Sequence, residues 1–96
     1  MPLSPEDEEL IAHGVIGDEA RKFLESDLGR TILGMALQEV EAARNELEDV
    51  NATDVQAIEK LQAQARFGRA FERWLGELIT KGEQSIAVWR QKQNES

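Results

Sequence analysis

The chain's one histidine, His13, stands one helical turn after Glu9, and a carboxylate–imidazole pair at that spacing can form half of an acid–base or metal site. A di-iron helical bundle needs two Glu-x-x-His elements and two further glutamates, which symmetric copies of an i, i+4 pair do not supply. The pair reads more simply as a surface histidine near a helix end. Glu39, Glu41, Glu46, Glu48 and Asp49 could be a hydrolytic pair or a cation cage. At about 100° per residue they point in several directions around a helix, so a solvated acidic face is the plainer reading. Arg66, Arg69 and Arg73 do share a face, at i, i+3 and i+7, and Gln62 extends it. Guanidinium forks match phosphates and acidic partners. The bland alternative is a solvated face that pairs locally with Glu59, Glu72 or Glu77. Phe67, Phe71, Trp74 and Leu78 form an apolar flank; its aromatics Phe67, Phe71 and Trp74 are of a type that can line a cofactor pocket, but aromatics at helical spacing belong more often to a core or an interface. Interface is the reading adopted, with Trp89 further along the same helix as part of it.

These groups sit on two long helix-period segments, 27–50 and 54–89, that meet at Asn51-Ala52-Thr53. Thr53 followed three residues later by Gln56 reads as a capping box, and Asp54 suits the positive end of the helix dipole. Asn51 suits a helix stop because asparagine tolerates the left-handed conformation. A link this short makes the two helices antiparallel neighbours. Upstream, Ser4-Pro5-Glu6-Asp7-Glu8-Glu9 is a strong helix start. Gly14 and Gly17 bracket Val15-Ile16 as a turn, so the spacing predicts short helices over 5–13 and 18–26, the second capped by Asp18. Ser26-Asp27 either caps the long helix afresh or lies in a bend.

On the first long helix the apolar positions from Leu28 to Val50 spread over roughly 200° of circumference, wider than the ~100° stripe that one contact needs. The second repeats this, with a seam through Ile58, Leu61, Ala65, Leu75 and Ile79 and the aromatic flank about a quarter turn away. The period carries through Gly82 toward Trp89. Two helices give each other only one interface. Leu10, Ile11, Val15, Ile16, Phe23 and Leu24 of the short helices can cover part of the surplus. Leftover apolar area in a chain of 96 residues points to oligomerisation, and a dimer forming a four-helix bundle satisfies it.

Composition limits the alternatives. With 41% hydrophobic and 31% charged residues, the chain reads as one folded domain over 1–96. No apolar run approaches the ~18 residues of a membrane span, and the acidic N-terminus lacks the layout of a signal peptide. Without cysteine there is neither disulfide framework nor thiolate metal site. A cytosolic protein, or one assembled in a cytosol, is expected. Residues 1–50 carry thirteen acidic and four basic side chains, net −9, whereas residues 51–96 carry six and seven, net +1. The overall charge of −8 argues against nonspecific DNA binding, which needs clustered lysine and arginine. No Gly-rich phosphate loop and no Ser/His/Asp set is present, so no catalytic residue, cofactor or metal is expected.

The segments Glu19-Ala20-Arg21-Lys22-Phe23-Leu24-Glu25-Ser26-Asp27-Leu28-Gly29 and Leu61-Gln62 through Trp74-Leu75 to Ile79-Thr80-Lys81-Gly82 carry a resemblance. Over roughly residues 18–86 the chain resembles small, acidic, two-helix proteins encoded near the head and packaging genes of tailed phages and prophages. Its motifs are packing and capping positions, so no catalytic residue carries over. The resemblance implies a phage or prophage origin, in the bacterial host cytosol or in the virion. The expected protein is an all-α antiparallel helical hairpin with short N-terminal helices. It would act as a non-enzymatic assembly or interaction component, a homo-oligomer contacting itself or a phage structural protein. The rival expectation is a nucleic-acid-related regulator: a small packaging-terminase-like component using the arginine face, or an acidic mimic occupying another protein's DNA site.

Overall fold

Ser4 starts the first helix: its Oγ accepts from the Asp7 amide at 3.1 Å, Pro5 holds the first position, and Glu6, Asp7 and Glu8 meet the positive end of the dipole. The computed structural model describes residues 3–95 and holds three α-helices and no strand among them. These are α1 (Pro5–Glu25), α2 (Asp27–Asp49) and α3 (Val55–Glu95). Residues 1, 2 and 96 lie outside the described part.

α1 corrects the expected pair of short helices over 5–13 and 18–26. It runs unbroken through Gly14 and Gly17, and no described residue has positive φ. The two glycines serve a close approach rather than a turn. A Cβ on Gly17 would stand 2.8 Å from the Leu78 carbonyl oxygen and 2.9 Å from the Gly82 Cα. One on Gly82 would stand 2.9 Å from both the Gly17 Cα and the His13 carbonyl oxygen. The backbones of α1 and α3 therefore touch where neither residue has a side chain. Asp18 caps nothing: its carboxylate binds Arg21 and, at 3.0 Å, Lys22. Hydrogen bonds from Lys22 and then Arg21 hold that carboxyl below its ordinary range.

One residue separates α1 from α2. Ser26 (φ −77°, ψ 156°) accepts at Oγ from the Gly29 amide at 2.9 Å and donates from the same oxygen to the Phe23 carbonyl at 2.6 Å. It ends one helix while capping the next. Gly29 is required there, because a Cβ would run into the Phe23 carbonyl oxygen.

The second break also differs from expectation. Thr53 is not the cap: its hydroxyl and amide both donate to the Asn51 Oδ1, at 2.8 and 3.0 Å. Asp54 caps α3 instead, accepting from the Ala57 amide at 3.1 Å. Asn51 closes a local turn with its side chain rather than by a left-handed backbone. α3 passes through Gly82 and continues beyond Trp89 to Glu95.

At ~1.5 Å per residue α3 is about 61 Å long, which sets the molecule's longest dimension of 64 Å. α1 and α2 lie one after the other along it. Asp7 meets Lys92, Gly17 meets Gly82, Val40 meets Gly68 and Glu39 meets Gln64, so later residues of α1 and α2 touch earlier residues of α3. The core is thin and small: Val40, Ala43, Leu61 and Ala65, with Leu47 and Val50 against it. Among the described residues no large side chain is fully buried.

Candidate functional site

Positions 67, 71, 74 and 78 recur at four- and three-residue steps, so α3 must carry Phe67, Phe71, Trp74 and Leu78 on one side. The side is open. Phe67 is 69% exposed, Trp74 48% and Leu78 40%, while Phe71 is half-buried. Phe67 and Trp74 meet edge to face, with ring centroids 6.4 Å apart. That arrangement suits the ring quadrupoles and fixes the two side chains as one raised feature.

α2 adds what the single-helix pattern did not reveal. Ile32 and Met35 line an apolar groove of about 570 Å³ with Phe67 and Phe71, floored by Ala36 and Gly68. Leu28, one turn before Ile32, continues the stripe and is 65% exposed; Met35 is 60% exposed. The spacing 28, 32, 35 was a usable signal, displaced by about a quarter turn from the Val40–Ala43–Leu47 seam. Gly68 allows the close approach of α2 and α3 beneath the groove, since a Cβ there would stand 2.7 Å from the Ala36 carbonyl oxygen. At the polar end of the groove Gln64 Nε2 donates to Glu39 Oε2 at 2.9 Å. Glu39 is the one charged residue in the lining, and this bond satisfies it.

The other sequence-derived candidates lie elsewhere. Trp89, grouped with the flank, is half-buried, and its Nε1 is buried with no acceptor among the described residues. Arg66, Arg69 and Arg73 are all exposed. Arg73 Nε lies 3.6 Å from Glu77 Oε1, whereas Arg66 and Arg69 make no ion pair among the described residues, so the local pairing expected for them is only partly present. Glu41, Glu46, Glu48 and Asp49 are exposed, and no grouping of three or more His, Cys, Asp or Glu residues able to hold a metal occurs among the described residues. Val15 and Ile16, expected to cover α3, stay 51% and 45% exposed on α1.

A second groove, of about 480 Å³, follows the glycine seam between α1 and α3. Arg21 and Arg90 line it together with Asp18 and Glu83, so it presents balanced charge and favours neither sign of ligand. Beyond it Lys92 Nζ donates to Asp7 Oδ1 at 3.1 Å and lies 3.3 Å from Glu6 Oε1, clasping the start of α1 to the end of α3. The Lys92 hydrogen bond holds Asp7 below its ordinary 3.8, and the Asp7 hydrogen bond lifts Lys92 above 10.5. No helix of the described residues is long and apolar enough to cross a membrane. The α2–α3 flank is thus an exposed apolar surface, with Glu39 the one charged residue lining its groove. No protein-family model matches the chain, and comparison with curated proteins and with solved structures finds no match.

Proposed function

We propose that the protein is a non-enzymatic interaction component that works as an oligomeric helical hairpin. One seam closes α2 on α3, and the apolar flank contacts a further copy or another protein, completing a bundle of four or more helices. The exposed Phe67–Trp74 pair is the observation that carries this reading. Two aromatic side chains at 69% and 48% exposure, fixed edge to face, are costly to leave in water and productive to cover. The setting that the sequence resemblance favours is the head or packaging module of a tailed phage or prophage, with the protein in the host cytosol or in the virion. A phage structural protein would then be its partner, with no nucleic acid, membrane or cofactor involved.

Multi-angle light scattering on the wild type and Trp74→Glu tests the reading. The wild type should elute above the 10.8 kDa chain mass and Trp74→Glu should move toward it. Tight binding of duplex DNA at physiological salt, lost when Arg66 and Arg69 become glutamate, would instead support the packaging-regulator alternative. A portal or capsid gene beside its own would support the phage setting, and its absence would remove that support.

A further inference from the structure

We infer that the occupant of the α2–α3 flank is a second copy of this chain, docked isologously, each copy's Phe67–Trp74 pair seated in the other's Ile32–Met35–Phe71 hollow. This rests on the interaction reading above and commits it to one partner and one geometry. Three observations converge on it.

The first is shape. The flank carries a raised feature and a hollow that share one residue: the exposed Phe67–Trp74 pair stands at the edge of the groove of about 570 Å³, with Phe67 forming one wall of it. A two-fold rotation places each raised pair over the other copy's hollow, so the contact is made twice and closes. A surface evolved for an unrelated protein has no need to contain its own complement.

The second is area. At 150–250 Å² per aromatic side chain, the exposed fractions of Phe67 and Trp74 amount to roughly 250 Å². Met35, Leu28 and Leu78, at 60%, 65% and 40% exposure, bring the patch to roughly 500 Å², near the top of what monomers expose. Two such patches face to face bury roughly 1,000 Å², the lower bound for a specific interface, before any rim contact is added.

The third is charge. Two copies of a chain with net charge −8 repel each other across most approaches. The groove lining holds one charged side chain, Glu39, already bonded to Gln64. Along this face each acidic copy brings a single carboxylate from the groove, that of Glu39, which is exposed to solvent screening.

Trans-complementation tests the geometry. Trp74→Ala breaks the raised pair but leaves every residue that lines the hollow; Met35→Trp fills the hollow but keeps the pair. Both positions are exposed, so circular dichroism should show both variants as helical as the wild type. Sedimentation velocity should show wild-type self-association, at least about tenfold weaker association for either variant alone, and recovery of a dimer when the two are mixed. Recovery is the signature, because only the mixture can seat one Phe67–Trp74 pair in one open hollow. If the wild type associates but the variants associate equally well, or the mixture stays as weak as its parts, isologous docking is wrong while self-association stands. If the wild type is monomeric at about 100 μM, a concentration that detects even weak dimers, both readings fail.

Discussion

Alanine substitution at four of the glycines should stabilise at two and destabilise at the other two, although all four lie inside helices. Alanine exceeds glycine in a helix interior by about 1 kcal/mol of intrinsic propensity. At Gly34 and Gly76 a Cβ meets nothing within 4 Å, so Gly34→Ala and Gly76→Ala should each gain about 0.5–1 kcal/mol. Gly82 lies in the same helix as Gly76, yet its Cβ would stand 2.9 Å from the Gly17 Cα and from the His13 carbonyl oxygen. These are backbone atoms of α1 that cannot rotate aside, so the helices must part by several tenths of an ångström along the seam. Overpacking of that kind costs about 1–3 kcal/mol, which offsets the propensity gain and leaves a net loss of about 0–2 kcal/mol. Gly17→Ala meets the Leu78 carbonyl oxygen at 2.8 Å and should behave alike. The quantity to read is the difference between Gly76→Ala and Gly82→Ala, about 1–3 kcal/mol, in which propensity cancels. Urea denaturation followed by helical circular dichroism, at one fixed protein concentration, gives it directly. If Gly82→Ala stabilises as much as Gly76→Ala, the direct contact of the α1 and α3 backbones is refuted.

Three further outcomes follow from named contacts. Asp54→Ala should cost about 1 kcal/mol by removing the α3 cap, whereas Thr53→Ala, which loses only an exposed bond to Asn51, should cost a few tenths; the reverse order in urea melts would move the cap back to Thr53. The depressed carboxyl of Asp7 contributes stability above its ordinary 3.8 that fades as pH falls through its folded value, and the raised Lys92 contributes below 10.5 and fades above. Asp7→Asn should therefore reduce the loss of thermal stability on acidification below about pH 4, and an identical acid limb in wild type and variant would contradict the clasp. Trp89→Phe removes a buried N–H that has no acceptor among the described residues, so its stability should stay within about 1 kcal/mol of wild type despite the smaller ring, and a loss above about 2 kcal/mol would mean that the indole nitrogen is bonded.

The all-helical class was legible because the apolar residues repeat at helical spacing and the prolines stop at position 5. Ser26 was legible as a cap or a bend, and it is both. Gly14 and Gly17 misled because glycine has two uses in a helical sequence: it can end a helix or let another backbone approach. The choice between them is made by Gly82, far along the chain, and no local pattern contains it. Thr53 and Asp54 were competing caps one residue apart, and the hydroxyl of Thr53 was drawn to Asn51, leaving the carboxylate to bind the Ala57 amide. The aromatic half of the flank could be read from α3 alone. Its other half, Leu28, Ile32 and Met35, shows in α2's spacing as a stripe beside the seam, but whether that stripe joins the aromatic one depends on how α2 is rotated against α3, which neither helix's own periodicity records. The Asp7–Lys92 clasp, spanning 85 residues, had no sequence signal beyond opposite charge.

If another copy of the chain covers the α2–α3 flank, apparent mass depends on concentration, and sedimentation equilibrium of the wild type from about 1 to 100 μM reads that dependence. The apparent mass should rise with concentration from the 10.8 kDa chain toward at least twice that value. A mass that stays at 10.8 kDa throughout would contradict it and would mean that Phe67 and Trp74 remain in water.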